Sequence, residues 1–115
     1  MDRVEQGRLG ELAAAKWFTE RGLLVLWPMG ETVYDFAVDD GTRIRRVQVK
    51  SSGSFDDRGR MRFCLRRRMN GKLQVYLDGE VDLFALYNAV EDEVRILSSE
   101  DLNGRKNIFW EDGNA

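Results

Sequence analysis

The feature that most constrains this chain is a hairpin signal at its centre. Residues 32–38 and 43–51 each alternate side-chain character, and Asp39-Asp40-Gly41-Thr42 stands between them. A period of two sends successive side chains to opposite faces of a strand, and an Asp-Gly pair between two such runs marks an antiparallel turn. The first run sets Tyr34, Phe36 and Val38 on one face and Val33, Asp35 and Ala37 on the other. The second sets Val47 and Val49 against Ile44, Arg46, Gln48 and Lys50. In the resulting ladder Asp35 neighbours Gln48 and Lys50. A carboxylate, an amide oxygen and an ammonium on one strand face form a candidate Mg2+ and phosphate site. Arg46, on the same face, is placed to reach a phosphate beside it.

The other elements follow from local pattern. Residues 3–21 read as a helix, with Leu9, Leu12, Ala13, Ala14, Ala15, Trp17 and Phe18 as formers and apolar bulk, and Gly22 as a stop. Glu11 is in register with Ala14, Ala15 and Phe18, one turn above a partly apolar stripe. Its carboxylate either points into the protein or, as for most helix glutamates, into water. Residues 23–27 suit a short buried strand closed by Pro28 and Gly30. Beyond the hairpin, residues 51–59 make a Ser- and Asp-rich loop directly after the candidate site, and residues 60–67 alternate as a fourth strand. Residues 73–77 fit a short strand or a helical turn. The apolar run 82–87 suits a strand covered on both faces, 93–97 an edge strand, and 98–101 the cap of a short terminal helix. The island Ile108-Phe109-Trp110 docks on the core or on another subunit.

Composition narrows the chemistry. A chain of 115 residues, 43% hydrophobic and 33% charged, is the size and make-up of one globular domain spanning residues 1–115. No apolar run approaches the ~20 residues of a membrane span, and no secretory signal precedes the helix, so a cytoplasmic protein without membrane partners is expected. The single Cys64 excludes an internal disulfide framework and a Cys-cluster zinc site, and is expected to pack as a small core hydrophobe. There is no histidine, which excludes His-based nucleases and Ser-His-Asp or Cys-His hydrolases. Any catalysis must come from Asp, Glu, Lys and Arg with a hard cation. The net charge of −2 conceals segregation: residues 43–72 hold eleven basic and two acidic side chains, +9, leaving −11 elsewhere. Such a segment attracts a polyanion or forms a solvated hairpin paired with the acidic flanks, and charge alone does not separate the two.

Phosphodiester hydrolysis requires neutralising charge on the phosphorus and supplying a hydroxide-like nucleophile. Asp35 is the principal candidate ligand for Mg2+, with Glu11 direct or through water, and the Gln48 amide oxygen and Val49 carbonyl at further positions. Lys50 is placed to orient the attacking water and stabilise the oxyanion. Because Gln48 is neutral, Glu11, Asp35 and Lys50 together carry −1, which predicts weaker Mg2+ binding than at a three-carboxylate site.

A helix Glu, a strand Asp, Gln-x-Lys on its hairpin partner and then Ser-Ser resemble the PD-(D/E)xK nuclease superfamily, in particular the group I intron-associated endonucleases and the Holliday junction resolvases. The likeness runs from Gly7 to Ser52 through Gly10-Glu11-Leu12-Ala13, Arg21-Gly22, Trp27-Pro28, Gly30, Tyr34-Asp35-Phe36 and Arg46-Val47-Gln48-Val49-Lys50-Ser51, and is fainter at Val81-Asp82-Leu83-Phe84-Ala85. Tyr34 stands where the motif name has proline, and Gln48 where it has an acid. The resemblance implies Glu11, Asp35, Gln48 and Lys50 as active-site residues, Mg2+ dependence with Mn2+ as a substitute, a homodimer, and a bacterial, archaeal or phage setting. It also implies an α/β restriction-endonuclease-like core, a mixed β-sheet with an N-terminal helix and flanking helical segments.

The expected activity is therefore a Mg2+-dependent DNA endonuclease, with Arg46, Ser51, Ser52, Arg58, Arg60 and Arg62 at the DNA. The short chain shows no extension for reading a long site, which favours branched DNA, as for a Holliday junction resolvase. The alternatives are a sequence-specific homing-type endonuclease and a catalytically weak nucleic-acid-binding module on a nuclease scaffold.

Overall fold

The computed structural model describes residues 1–102 and 104–112. Asp2 opens helix α1 (Arg3–Glu20) by accepting the Glu5 N–H at 2.8 Å, and Gly22, at φ +83°, turns the chain out of it. The strands are β1 (Leu24–Leu26), β2 (Phe36–Asp39), β3 (Ile44–Ser52), β4 (Arg62–Cys64), β5 (Arg66–Met69), β6 (Lys72–Val75), β7 (Leu83–Asn88), β8 (Glu93–Ser98) and β9 (Asn107–Phe109). Five of them form one mixed sheet, ordered β1-β2-β3-β7-β8, in which β3 and β7 run parallel and the other neighbours antiparallel. The flanking segments are 3-10 turns, Ser99–Leu102 and Trp110–Asp112.

The central hairpin closes at Asp40, whose Oδ1 accepts the Thr42 N–H, the Thr42 hydroxyl and the Arg43 N–H at 2.8–2.9 Å. Its register pairs Phe36 with Val47 and Val38 with Arg45. Alternation then divides the sheet into two cores. On one face Phe36, Val38, Val47, Val49 and Ala85 receive Ala14 and Phe18 from α1. On the other, Phe84, Leu86 and Leu97 lie under Met61, Phe63, Leu65, Ile108 and Trp110. The apolar island 108–110 thus docks on the core, with β9 pairing β4.

Three local expectations change. The strand expected over 32–38 begins only at Phe36, because the Thr32 hydroxyl donates to the Tyr34 carbonyl at 2.6 Å and holds a turn there. The strand expected over 60–67 divides at Leu65, whose side chain is buried and whose N–H donates to the Lys106 carbonyl at 2.8 Å. The chain then leaves the core as a separate two-stranded ribbon, β5–β6. The strand expected to be buried over 23–27 is β1, which lies at the edge of the sheet with Leu24 exposed. Helix α1 meets the sheet through Gly10, Ala14 and Phe18, which leaves Leu9 and Leu12 exposed. Four-residue spacing puts those three on one side.

Candidate active site

Since β2 starts at Phe36, β3 loses that strand partner beyond Val47. Asp35 fills the gap: its N–H still donates to the Val47 carbonyl at 2.9 Å, and its Oδ2 accepts the Val49 N–H at 2.8 Å. A strand's N–H groups lie in the plane of the sheet, so this carboxylate sits at the sheet's open edge, within reach of both faces. Val49 itself points its side chain into the core beneath α1.

Glu11 reaches Asp35 from the helix side, close enough for the two carboxyls to perturb each other's protonation. Their approach depends on the preceding residue. A Cβ at Gly10 would stand 2.8 Å from Ser51 Oγ and 3.3 Å from Tyr87 Cβ, so glycine lets α1 lie close on β3 and β7. Burial raises the pKa of Glu11, and the neighbouring Asp35 raises it further, against Arg8. Asp35 is also raised, chiefly by burial, although the Val49 N–H, Glu11 and Lys50 oppose the shift. Two partly buried carboxyls close together share a proton readily.

From the opposite face come Gln48 and Lys50, which pair with Phe84 and Leu86 of β7. Gln48 Oε1 is buried and has no hydrogen-bond partner. A buried acceptor without a donor is uncommon and requires a reason. The Lys50 ammonium donates to the Arg66 carbonyl and to the Tyr76 hydroxyl, each at 2.9 Å, and lies 5.1 Å from the centroid of the Tyr76 ring. Burial lowers the Lys50 pKa, while Cys64 and Asp35 oppose the shift. Cys64 is accordingly not a core hydrophobe: it is half-buried beside this lysine, with Sγ 4.0 Å from the Arg66 carbonyl. Tyr76 is held high, at about 12, mainly by burial and then by the Asp35 charge.

Glu11, Asp35 and Gln48 offer oxygen donors only, the set that suits Mg2+ or Mn2+. Among the described residues no cluster of three or more His, Cys, Asp or Glu side chains forms. A third donor must therefore be neutral, and the unpartnered Gln48 Oε1 fits that role.

The residues expected at DNA are more scattered. Arg46 shares a face with Gln48 but is tied to Asp82, its backbone N–H at 2.8 Å and its Nε at 3.3 Å from the same oxygen. Ser51 packs beneath Gly10, and Ser52 Oγ donates to the Ser54 carbonyl at 3.3 Å. Arg58 is exposed in the loop. Arg60 pairs with Asp56 at 3.2 Å and covers the Phe109 ring at 4.1 Å, whereas Arg62 is exposed on β4. Three residues beside the site gave no distinct signal in the sequence. Tyr76 carried no local signal, and Arg66 and Arg67, whose buried Nε atoms lack partners, counted only as members of a basic run.

A helix over a mixed sheet, with two carboxyls and an ammonium at the open end of its central hairpin, is the arrangement of a nuclease core. The family model of the PD-(D/E)XK endonuclease matches residues 1–108, and the chain belongs to that family. Among solved structures it is similar to a bacterial homing endonuclease, I-Ssp6803I, with a TM-score of 0.82 at 21% identity, over 95% of this chain and 78% of that one. At that identity the likeness is one of fold. No curated protein matches the chain.

Proposed function

We propose that the protein is a Mg2+-dependent DNA endonuclease, accepting Mn2+ as a substitute, whose active site is Glu11, Asp35, Gln48 and Lys50. The observation that carries this reading is the orphaned Gln48 Oε1 on the same hairpin as Asp35, whose carboxyl lies beside that of Glu11 from α1. Glu11, Asp35 and the Gln48 amide oxygen would hold the ion, with the Val49 carbonyl as a further donor. When bound, the cation supplies neutralisation of the phosphate and a more acidic water. Asp35, fixed by the Val49 N–H, orients the donor set. The Lys50 ammonium keeps one of its three protons free beyond its two acceptors here, and this proton would be available to a developing oxyanion. Two copies would cut the two strands of a duplex, one strand each.

Two targets compete. A branched DNA, as for a Holliday junction resolvase, is the first. A defined site in linear duplex is favoured by the fold shared with a homing endonuclease, and by a basic ribbon that the sequence did not reveal; it is the reading adopted here. Incubation in Mg2+ with a four-way junction and with a randomised duplex library, followed by sequencing of the cut ends, tests it. Cleavage at one recurrent duplex sequence is expected. Cutting confined to the junction would establish the resolvase instead, and cleavage surviving both Asp35→Ala and Lys50→Ala would overturn the assigned site.

A further inference from the structure

The β5–β6 ribbon pairs as a strand with neither the five-stranded sheet nor the β4–β9 pair. All of β6, together with Arg68 and Met69 of β5, is exposed. Between Arg66 and Tyr76 there are four cationic side chains, Arg66, Arg67, Arg68 and Lys72, and no acidic one. The register sets Arg67 opposite Gln74 and Met69 opposite Lys72, so Arg67, Gln74 and Lys72 share a face. Glu80 pairs with Arg67 at 3.4 Å, and Arg68 braces the tip by donating to the Gly71 carbonyl at 3.1 Å. The Nε atoms of Arg66 and Arg67 remain buried without partners.

A two-stranded ribbon is narrow enough for the major groove of duplex DNA. Arginine, lysine and glutamine are the side chains that pair with guanine and adenine edges there. The ribbon's root bears on the active site, because both acceptors of the Lys50 ammonium belong to it. Arg66 begins β5, and Tyr76 immediately follows β6. Tyr76 is in turn seated on the sheet, its ring 5.5 Å from that of Phe84. Any shift of the ribbon against the sheet therefore moves the two groups that fix Lys50.

Resting on the endonuclease reading above, we infer that the β5–β6 ribbon seats in the major groove of duplex DNA, and that this seating sets the position of Lys50 through the Arg66 carbonyl and the Tyr76 hydroxyl. Tyr76 is then a positioning residue that links recognition to cleavage.

The test uses the full chain and a labelled mixed-sequence duplex in Ca2+, which allows binding to be read apart from cleavage. The double variant Arg68→Ala/Lys72→Ala should bind about tenfold more weakly, with a salt dependence shallower by roughly two phosphate contacts. Unchanged duplex affinity would overturn the groove seating. Tyr76→Phe keeps the ring on Phe84 and removes only the hydroxyl. It should leave duplex binding intact, lower the cleavage rate constant about tenfold with little change in KM, and speed solvent exchange of the Lys50 ammonium protons seen by NMR. An unchanged exchange rate, or a loss confined to KM, would overturn the link to Lys50. Duplex binding and the ammonium signal are read without cleavage, so an inactive wild type would refute the endonuclease reading while leaving these two results to decide the ribbon's role.

Discussion

Replacing Gln48 by methionine separates what this residue does for the fold from what it does for an ion. Its Oε1 is buried without a donor, and an unsatisfied buried acceptor costs about 1–3 kcal/mol. Methionine has nearly the same length, is unbranched, and would lie against Phe84, its partner on β7. Allowing for lost hydration of the amide nitrogen, Gln48→Met should stabilise the ion-free protein by about 1–2 kcal/mol. For 115 residues an unfolding entropy of about 2.1 cal/mol/K per residue makes that a rise in Tm of roughly 4–8 °C in chelator. Saturating Mg2+ should reverse the order. An ion at 100 times its Kd stabilises wild type by about 2.7 kcal/mol, roughly 11 °C, and the variant should lose most of that increment along with cleavage. Thermal unfolding followed by circular dichroism, in chelator and in a Mg2+ series, measures both arms. If Gln48→Met is less stable than wild type in chelator, or if both proteins gain equally from Mg2+, the orphaned oxygen is not an ion ligand.

Because burial raises both Glu11 and Asp35, ion binding must compete with protons above the usual carboxylate range. Mn2+ affinity measured by calorimetry should fall on acidification from neutral pH sooner than an ordinary carboxylate site would allow. The linkage sign is fixed by the same shifts. A carboxyl raised in the folded state stabilises fully below its unfolded pKa and loses that contribution as pH rises through the folded value. Chelated wild type should therefore gain on Asp35→Asn as the pH falls from neutral, and a Tm difference between the two that ignores pH would refute the shared proton. At the helix, Gly10→Ala sets a propensity gain of about 1 kcal/mol against overpacking of about 1–3 kcal/mol. With the new Cβ 2.8 Å from Ser51 Oγ, it should be destabilising by about 1 kcal/mol in urea titrations and close to neutral in a Ser51→Ala background. Equal stabilisation in both backgrounds would show that α1 does not press on β3 there.

What was legible in the sequence depended on short range. The hairpin followed from period-two alternation and an Asp-Gly turn, and with it came the neighbourhood of Asp35, Gln48 and Lys50. The direction of Glu11 was not legible. It is decided by how closely α1 lies on the sheet, hence by Ser51 and Tyr87, 41 and 77 positions beyond Gly10. The exposure of Leu9 and Leu12 has a related cause: α1 rests on the sheet through Gly10, Ala14 and Phe18, spaced four apart. Arg60 was expected at a phosphate from charge and Arg46 from its strand face, and neither signal reveals that Asp56 and Asp82 stand beside them. Tyr76 could not be found at all, because its role arises only when a ribbon 26 residues along the chain folds back over Lys50.

The neutral residue at position 48 makes sense within this geometry. Glu11 and Asp35 already bring partly buried carboxyl oxygens together at the open edge of β3, with one ammonium to offset them. A third carboxylate would add a like charge at low dielectric, and the ion-free protein would have to take up a further proton or lose stability. An amide supplies the same donor oxygen without charge. The cost is one unsatisfied acceptor while no ion is bound, together with weaker ion binding than three acids would give. On the proposed site, the arrangement would favour a chain that folds before it meets an ion, with ion occupancy, rather than folding, the step most sensitive to pH and divalent-metal concentration.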